Sequence, residues 1–255
     1  MHDPTHLTDQ LRSLGVRRGG VLVVHMSYRA VRPVHRGPLG VIDALRAAVG
    51  TDGTIVMPSW GDDDEMPLDP ANTPADASLG ATADIFWRLP GTHRSAHSFA
   101  FAALGPRAEL ITGDPLPTPP HGLDSPIGRA YEHDAQILLL GVGHDSNTTI
   151  HLAEVLAGVP YGVPKHCTIM KDGRPTRVDY VENDHCCERF ALADLWLREA
   201  GLQREGRVGQ ARALLMNARD LVRVVREQLE RNPLIFLHGA ESACAECDEA
   251  RRSTL

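Results

Sequence analysis

A histidine and a glutamate, His151 and Glu154, stand at a spacing that suits proton transfer. The apolar run 137–140 predicts a buried strand, and the polar stretch 141–149 predicts a loop that leads into a capped helix. Such a helix places both side chains one turn apart on its first face. An imidazole with a pKa of about 6.5 accepts a proton near neutral pH, and a carboxylate fixes its tautomer. His151 is therefore a candidate general base rather than a packing histidine, and Glu154 and Asp184 are both candidates for orienting it.

Two acidic clusters provide sites for a positively charged ligand. Residues 62–65 (Asp-Asp-Asp-Glu) follow Trp60, and residues 182–185 (Glu-Asn-Asp-His) end a predicted hairpin. Carboxylates beside an aromatic ring bind ammonium groups through charge and cation–π contact. A solvated loop is the alternative for the first cluster. Together with His151, the two clusters predict a cleft suited to a polyamine.

The five cysteines all lie in the C-terminal third of the chain. Cys244 and Cys247 form a Cys-x-x-Cys motif, which supplies half of a structural zinc site. The remaining ligands must come from distant sequence, and the candidates are Cys167, His185, Cys186 and Cys187. We predict a zinc site that contains Cys187, Cys244 and Cys247. Reduced thiols packed under the C-terminal tail are the alternative.

The elements that position these residues follow an α/β pattern. Apolar spacing and glycine stops predict, in order, helix, strand, helix and strand at 5–14, 21–25, 40–49 and 54–58. Further along, the chain predicts a hairpin, two helices and a last strand at 167–181, 188–200, 208–231 and 234–238. Ligands of α/β proteins bind where strands end and helices begin, which is where the loop 141–149 lies. The Pro- and Gly-rich stretches 61–79 and 113–128 predict long loops, which are usually functional.

Size and charge narrow the class of protein. A chain of 255 residues can bury a full core, and we expect a single domain over 1–255 with a cysteine-bearing tail at about 239–255. The net charge of −7 argues against nucleic acid as a partner, because phosphate binding needs clustered Lys and Arg. No apolar run reaches the roughly 18 residues of a membrane span, and the first residues lack a secretory signal. We therefore expect a cytoplasmic protein with no membrane partner.

Common nucleotide-binding and nucleophile motifs are absent from the sequence. It contains no Walker loop, no Gly-x-Gly-x-x-Gly after a strand and no Gly-x-Ser-x-Gly elbow. Without an evident activated Ser or Cys, direct transfer is favoured over a covalent intermediate.

One set of motifs runs in order along nearly the full chain. Its members are Val-His-Met-Ser (24–27), Gly-Pro-Leu-Gly (37–40), Met-Pro-Ser-Trp (57–60), Arg-Ser-Ala-His-Ser-Phe-Ala (94–100), Ser-Pro-Ile-Gly (125–128), and the segments 141–154, 159–164 and 182–187. This set resembles the aminoglycoside 3-N-acetyltransferase family, and most closely its type IV branch, which is associated with apramycin and gentamicin resistance. The resemblance implies an α/β fold with a mixed sheet flanked by helices, of the antibiotic N-acetyltransferase type. It does not imply the GNAT fold, whose Gln/Arg-x-x-Gly-x-Gly signature is missing.

The resemblance also implies an activity. Acetyl-CoA would donate its acetyl group directly to the 3-amino group of the 2-deoxystreptamine ring of an aminoglycoside, which confers antibiotic resistance. His151 resembles the catalytic histidine that removes a proton from the amine, and Asp184 resembles the acid that supports it, in preference to Glu154. N–H groups or a hydroxyl near Ser27 would stabilise the oxyanion.

The expected contacts fall on two sides of a cleft. The substrate contacts are Trp60, Asp64, Glu182 and Asp184, and the acetyl-CoA contacts are His25, Met26, Ser27, Ser95 and Phe99. Met26 stands where much of the family has a small hydroxyl residue, so a backbone contact to the cofactor is expected there. We expect a monomer or a homodimer.

Two other functions compete with this interpretation. A zinc-dependent hydrolase would use His144, His151 and His185 as metal ligands. A non-catalytic protein would bind polycationic antibiotics stoichiometrically.

Overall fold

The structure is a computed structural model that describes residues 1–253, so the last two residues of the predicted tail 239–255 lie outside it. The helices of eight or more residues are α1 (Pro4–Leu14), α3 (Pro38–Val49), α7 (Thr149–Ala157), α8 (Leu192–Glu199), α9 (Ala218–Arg231) and α10 (Ala245–Arg252). The shorter ones are α2 (Tyr28–Val31), α4 (Gly80–Phe86), α5 (Ala108–Thr112) and α6 (Pro126–Glu132). The strands are β1 (Val21–Met26), β2 (Thr54–Pro58), β3 (His93–Arg94), β4 (Phe101–Leu104), β5 (Gln136–Leu140), β6 (Val163–Lys171), β7 (Arg174–Glu182), β8 (Gln203–Val208) and β9 (Ala211–Asn217).

Seven of these strands form one mixed sheet in the order β3-β4-β2-β1-β5-β9-β8. β1 lies in the middle and runs parallel to both β2 and β5, with Val23 opposite Val56 on one side and Ile137 on the other. The remaining pairs are antiparallel. The predicted mixed sheet flanked by helices is confirmed.

The sheet separates two hydrophobic cores. Successive residues of a strand point to opposite faces, so Val23 and Leu139 pack in one core while Leu22 and Leu138 pack in the other. Helices α5 to α9 cover the first core, and α1 to α4 cover the second. Because both faces are covered, the central strands are continuous apolar runs rather than alternating ones.

The parallel strands fix where a ligand site can form. After β1 the chain moves to β2 on one side of it, and later returns to β5 on the other side. The carboxyl ends of β1, β2 and β5 therefore meet at one edge of the sheet, at the point where the strand order reverses, and this is the usual ligand crevice of open α/β sheets. The antiparallel β4 starts at the same edge, because Phe101 pairs with Pro58.

β6 and β7 form a separate two-stranded sheet. Their register runs without interruption from Lys171 opposite Arg174, at the tip, to Val163 opposite Glu182, at the base. The hairpin prediction is confirmed, and both strands are longer than predicted.

Two sequence predictions in the C-terminal half are wrong. The predicted helix 208–231 begins only at Ala218, because 211–217 form β9, whose consecutive apolar residues are buried on both faces of the sheet. The predicted strand 234–238 is a series of turns in which Ile235 and Leu237 donate backbone hydrogen bonds to residues three positions earlier. A short apolar run does not distinguish these conformations without its partners.

Within residues 1–253, no helix is both long enough and apolar enough to cross a membrane.

Candidate active site

A cavity of about 320 Å³ opens at the edge where β1, β2 and β5 end. Residues from these strand ends and from the loops beside them line it. Among them are His25, Met26, Trp60, Phe99, His121, His151 and Cys187. The cavity thus contains imidazole, thiol and aromatic side chains within one partly enclosed space.

The loop after β5 positions α7 at this cavity. Gly141 has a φ of 73°, and a Cβ atom there would lie 2.4 Å from the side chain of Ala30, so only glycine fits this turn. The Oδ1 atom of Asn147 accepts a 3.2 Å hydrogen bond from the backbone N–H of Thr149, the first residue of α7. The predicted change from strand to loop to capped helix is confirmed.

His151 and Glu154 contact each other on the first turn of α7. The Nδ1 atom of His151 lies 2.8 Å from Oε2 of Glu154. Since a carboxylate only accepts hydrogen bonds, the proton of this bond belongs to Nδ1. In the neutral imidazole, Nε2 is then the atom that can accept a proton.

The Glu154 carboxylate is fully buried, and three side chains donate hydrogen bonds to it. Besides His151 on Oε2, the hydroxyl of Tyr161 and Nε2 of His185, at 2.9 Å, contact Oε1. Burial raises the pKa of Glu154, but the bonds from His151 and His185 outweigh it, and the pKa is lowered. Glu154 is therefore a buried anion that fixes the orientation of His151.

His185 is oriented from its other side. Its Nδ1 atom accepts a 3.2 Å hydrogen bond from the backbone N–H of Cys187, so Nε2 carries the proton that Glu154 accepts. The same turn brings the sulfur of Cys187 to 3.4 Å from Nε2 of His151. His151 therefore lies between the Glu154 carboxylate and the Cys187 sulfur.

The pKa of His151 is raised well above its ordinary value. Burial lowers it, but the neighbouring Cys187 sulfur and the hydrogen-bonded Glu154 carboxylate more than compensate, because both favour the imidazolium. The result is a strongly basic imidazole at the cavity wall.

His121 is a site residue that the sequence analysis missed. Its ring stacks on His151, with centroids 4.8 Å apart, and contacts Phe99 at 4.4 Å. Burial holds the pKa of His121 well below the usual range, so this ring packs against His151 as an uncharged group. The only sequence signal was its location in the loop 113–128, for which a functional role was expected.

The predicted acetyl-CoA residues fall into two groups. His25, Met26 and Phe99 line the cavity, and burial lowers the pKa of His25 to about 4. The hydroxyl of Ser95 accepts a 3.1 Å bond from the backbone N–H of Phe101, which holds the loop before β4 in place. The backbone N–H of Ser27 donates to the carbonyl of Leu140, so it is not free to stabilise an oxyanion.

The predicted substrate acids lie beside the cavity. Asp64 lines an adjacent groove of about 220 Å³ together with Asp62 and Asp63, while Trp60 lines the cavity itself. Glu182, at the base of the hairpin, is nearly buried and is not paired with any Lys or Arg of the described chain. Burial, Asp184 and Asp64 together raise the pKa of Glu182 to about 7.

The expectation that Asp184 supports His151 does not match the geometry. The Asp184 carboxylate is half-buried and pairs with Nζ of Lys165 at 2.7 Å, whereas Glu154 is the acid that contacts His151. Residues three positions apart on a helix lie side by side, so Glu154 on α7 makes the contact with His151 that the resemblance assigned to the distant Asp184.

The predicted zinc ligand Cys187 is also in the wrong place for that role. Its sulfur faces His151, and the Cys-x-x-Cys pair Cys244 and Cys247 lies instead with Cys186 and His238. A φ of 59° at Cys187 turns the backbone between the two adjacent cysteines.

The structure does not support His144 as a metal ligand, as the hydrolase alternative requires. Nε2 of His144 bonds to Gln203 at 2.8 Å and Nδ1 contacts Asn147, so both of its ring nitrogens are engaged away from His151. Among the described residues, the potential metal-ligand group at the cavity contains His151, Glu154 and His185.

Comparison with known proteins relates the chain to acetyltransferases. Residues 23–230 match the family model described as aminoglycoside 3-N-acetyltransferase. The aminoglycoside N(3)-acetyltransferase IV of Salmonella sp is 62% identical over 235 residues, which cover 92% of this chain and 90% of that protein.

Two solved structures extend the comparison. A histidine-to-alanine mutant of aminoglycoside acetyltransferase AAC(3)-IVa in complex with a gentamicin superposes with a TM-score of 0.96 at 60% identity, covering 98% of this chain and 97% of that one. AAC-IIIb in a binary complex with CoASH superposes with a TM-score of 0.82 at 25% identity, covering 90% of this chain and 97% of that one. These matches confirm the predicted fold type.

The contact of Glu154 with His151 has a measurable consequence. Glu154→Gln removes the buried negative charge, so we expect the His151 pKa, measured by NMR titration of labelled imidazole, to fall by about one unit or more. Asp184→Asn is the matched control and should leave that pKa within a few tenths of its original value, because Asp184 pairs with Lys165. A larger shift in Asp184→Asn than in Glu154→Gln would return the supporting role to Asp184.

Proposed function

Because the chain belongs to the aminoglycoside 3-N-acetyltransferase family, we propose that it transfers the acetyl group of acetyl-CoA directly to the 3-amino group of a 2-deoxystreptamine ring, with His151 as the general base. Aminoglycoside 3-N-acetylation and antibiotic resistance follow from the family itself. The donor, the direct transfer and the residue roles are the proposal. The observation that carries it is the His151–Glu154 pair at the cavity wall, with Nδ1 occupied and Nε2 able to accept a proton.

The chemistry requires a base because an ammonium group is not a nucleophile. His151 Nε2 removes a proton from the 3-amino group, and the freed lone pair attacks the carbonyl carbon of the thioester. As the C–S bond of acetyl-CoA breaks, the nitrogen loses its second proton, and the sulfur leaves as CoA thiolate, which takes up that proton. Glu154 stabilises the imidazolium that forms on His151, and it is held for this task by His185 and Tyr161.

The acids beside the cavity support a polycationic substrate. Glu182 is nearly buried and forms no salt bridge within residues 1–253, so an ammonium group of the substrate would lower its pKa and form a charge-assisted hydrogen bond. Asp64 and its neighbours extend the negative potential along the adjacent groove. Trp60 adds an aromatic face at the cavity. Binding the other ammonium groups would place one amine near the thioester.

Another part of the cavity lining supports the donor. His25 is buried, Met26 and Phe99 are half-buried, and all three are uncharged or apolar, which suits the acetyl thioester rather than a cation. The relative AAC-IIIb was solved with CoASH, which agrees with a CoA thioester as the donor here.

Cys187 raises a second possibility for the route of transfer. A thiol, an imidazole and a carboxylate in sequence are the parts of an activated cysteine nucleophile, and Cys187, His151 and Glu154 have these contacts. If the transfer is direct, Cys187 is not a nucleophile, and its role is to make His151 more basic. The two routes make opposite predictions for the loss of the thiol.

The primary test of the function is removal of the imidazole. His151→Ala should lower kcat for gentamicin or apramycin by about 10²–10⁴-fold, the usual contribution of a general base. Product is measured by mass spectrometry, and NMR of the product identifies the acetylated nitrogen. His133→Ala, an exposed histidine, is the control. Turnover near the original rate in His151→Ala would overturn the assignment, and stoichiometric binding without any acetylated product in the unaltered protein would favour sequestration.

The role of Glu182 in substrate binding is tested by comparing the effects of one substitution on KM and on kcat. Glu182→Gln removes a charge-assisted hydrogen bond worth about 1.5–3 kcal/mol, so KM for the aminoglycoside should rise by roughly 10- to 100-fold while kcat changes little. KM for acetyl-CoA should stay the same. Glu199→Gln, an exposed acid on α8, is the matched control. An unchanged KM in Glu182→Gln would remove Glu182 from the substrate site.

The pH profile tests the role of Cys187. The groups facing His151 are Glu154, Cys187, His121 and His185, and Glu182 acts on it from further away. Because the His151 pKa is raised and the base must be neutral, kcat/KM should keep rising above a pH of about 6.5. Cys187→Ala should keep its activity at high pH and move this rise to lower pH by about one unit, since the sulfur that raises the His151 pKa is lost. Loss of activity at every pH, with an acetyl group on the intact enzyme after mixing with acetyl-CoA alone, would instead assign the thiol as a carrier.

A further inference from the structure

Four potential metal ligands from three separate segments converge on the side of the 183–187 segment that faces away from His151. The group consists of Cys186, His238, Cys244 and Cys247, and their ligand atoms all lie within 4.8 Å of one another. The sulfur of Cys186 is 3.6 Å from that of Cys247 and 3.5 Å from Nδ1 of His238. The Cys247 sulfur is 3.9 Å from the same nitrogen.

These separations match a tetrahedral metal site. Zinc bonds of about 2.3 Å to sulfur and 2.0–2.1 Å to nitrogen place two sulfur ligands about 3.8 Å apart, and a sulfur and a nitrogen about 3.6 Å apart. A disulfide would need sulfur atoms about 2.05 Å apart, and all of these cysteines are free. We propose that Cys186, His238, Cys244 and Cys247 bind one structural Zn²⁺ ion.

The ligand set selects both the metal and its role. Three thiolates and one imidazole favour zinc over hard cations such as Mg²⁺ or Ca²⁺. Four protein ligands close the tetrahedron, which leaves no position for water or substrate and defines a structural site. The surroundings of His238 agree with a metal-binding role. Its other nitrogen, Nε2, lies 3.7 Å from the carboxylate of Glu188, and a carboxylate is a usual outer partner of a metal-bound histidine.

The segments around the four ligands indicate what a bound metal would stabilise. Cys247 and Ala250 of α10 form a small apolar cluster with Tyr161 and Leu237. A zinc ion would join α10 and the 234–238 turns to Cys186, which precedes the residue that contacts His151. It would thereby fix the backbone of His185 and Cys187 from behind, so the metal acts through position and not through chemistry at the cavity.

Metal content and cobalt spectra test the proposal directly. The full-length protein from zinc-replete cultures should contain one zinc per chain by elemental analysis. After zinc is removed with a chelator, Co²⁺ alone should give the intense visible bands and the thiolate charge-transfer band of a tetrahedral site. Thermal unfolding should occur at a lower temperature without the metal. A zinc-free protein whose apo form shows no thiolate–Co²⁺ band would overturn the site, and this test needs no variant.

Two neighbouring cysteines provide matched variants. Cys186→Ser should lose at least half of the bound zinc and change the Co²⁺ spectrum, whereas Cys187→Ser should retain one zinc per chain. If Cys186→Ser does not fold, His238→Cys should keep the metal and shift the Co²⁺ bands toward those of a four-thiolate site. Zinc retained in Cys186→Ser but lost in Cys187→Ser would overturn the ligand assignment. These measurements do not depend on acetyl transfer, so they fail or succeed independently of the proposed function.

Discussion

One buried negative charge organises the active site. An ionised carboxylate out of water costs of order several kcal/mol unless hydrogen bonds replace its hydration, and Glu154 is fully buried. His151, Tyr161 and His185 supply those bonds. They come from α7, from the loop before β6 and from the segment after β7, so the same interaction that satisfies the charge also brings these three segments together. Without the Glu154 carboxylate, neither the ring of His151 nor the turn at residues 185–187 would be held in its orientation.

The groups around the cavity differ in polarity. The strand ends and the loop before β4 contribute uncharged groups, the buried His25 and the half-buried Phe99, whereas the hairpin carries Glu182 and the neighbouring groove carries Asp64. Burial lowers the pKa of the His25 imidazole and raises the pKa of the Glu182 carboxyl, so it shifts both groups toward their uncharged forms.

The sequence predicts the local features of this site better than the long-range ones. The strand, loop and helix from 137 to 157 follow from apolar spacing and caps, and so does the proximity of His151 and Glu154. Preferring Asp184 failed because its salt bridge with Lys165 forms across the hairpin base, which spacing along the chain does not reveal. His121 was missed for a similar reason, since only tertiary packing stacks it on His151.

The C-terminal third shows where sequence patterns become ambiguous. Residues 211–217 are apolar enough for either a helix or a buried strand, and pairing with β5 decides for the strand. The two adjacent cysteines, 186 and 187, are equivalent by composition, and a single left-handed backbone conformation at the second separates them into different environments. Residue type alone predicts neither the strand at 211–217 nor the separation of the two cysteines, because each depends on contacts with another segment of the chain.

The hairpin has a consequence for how this protein can diversify. Its uninterrupted register holds Glu182 at the base, while the tip around residues 172–173 lies at the other end of both strands. Paired residues added or removed at the tip would lengthen or shorten the arm without displacing that carboxylate or the helix α7 that carries His151. Mutation can therefore change the outer part of the arm while the surroundings of His151 keep their geometry, and these two parts of the chain can evolve separately.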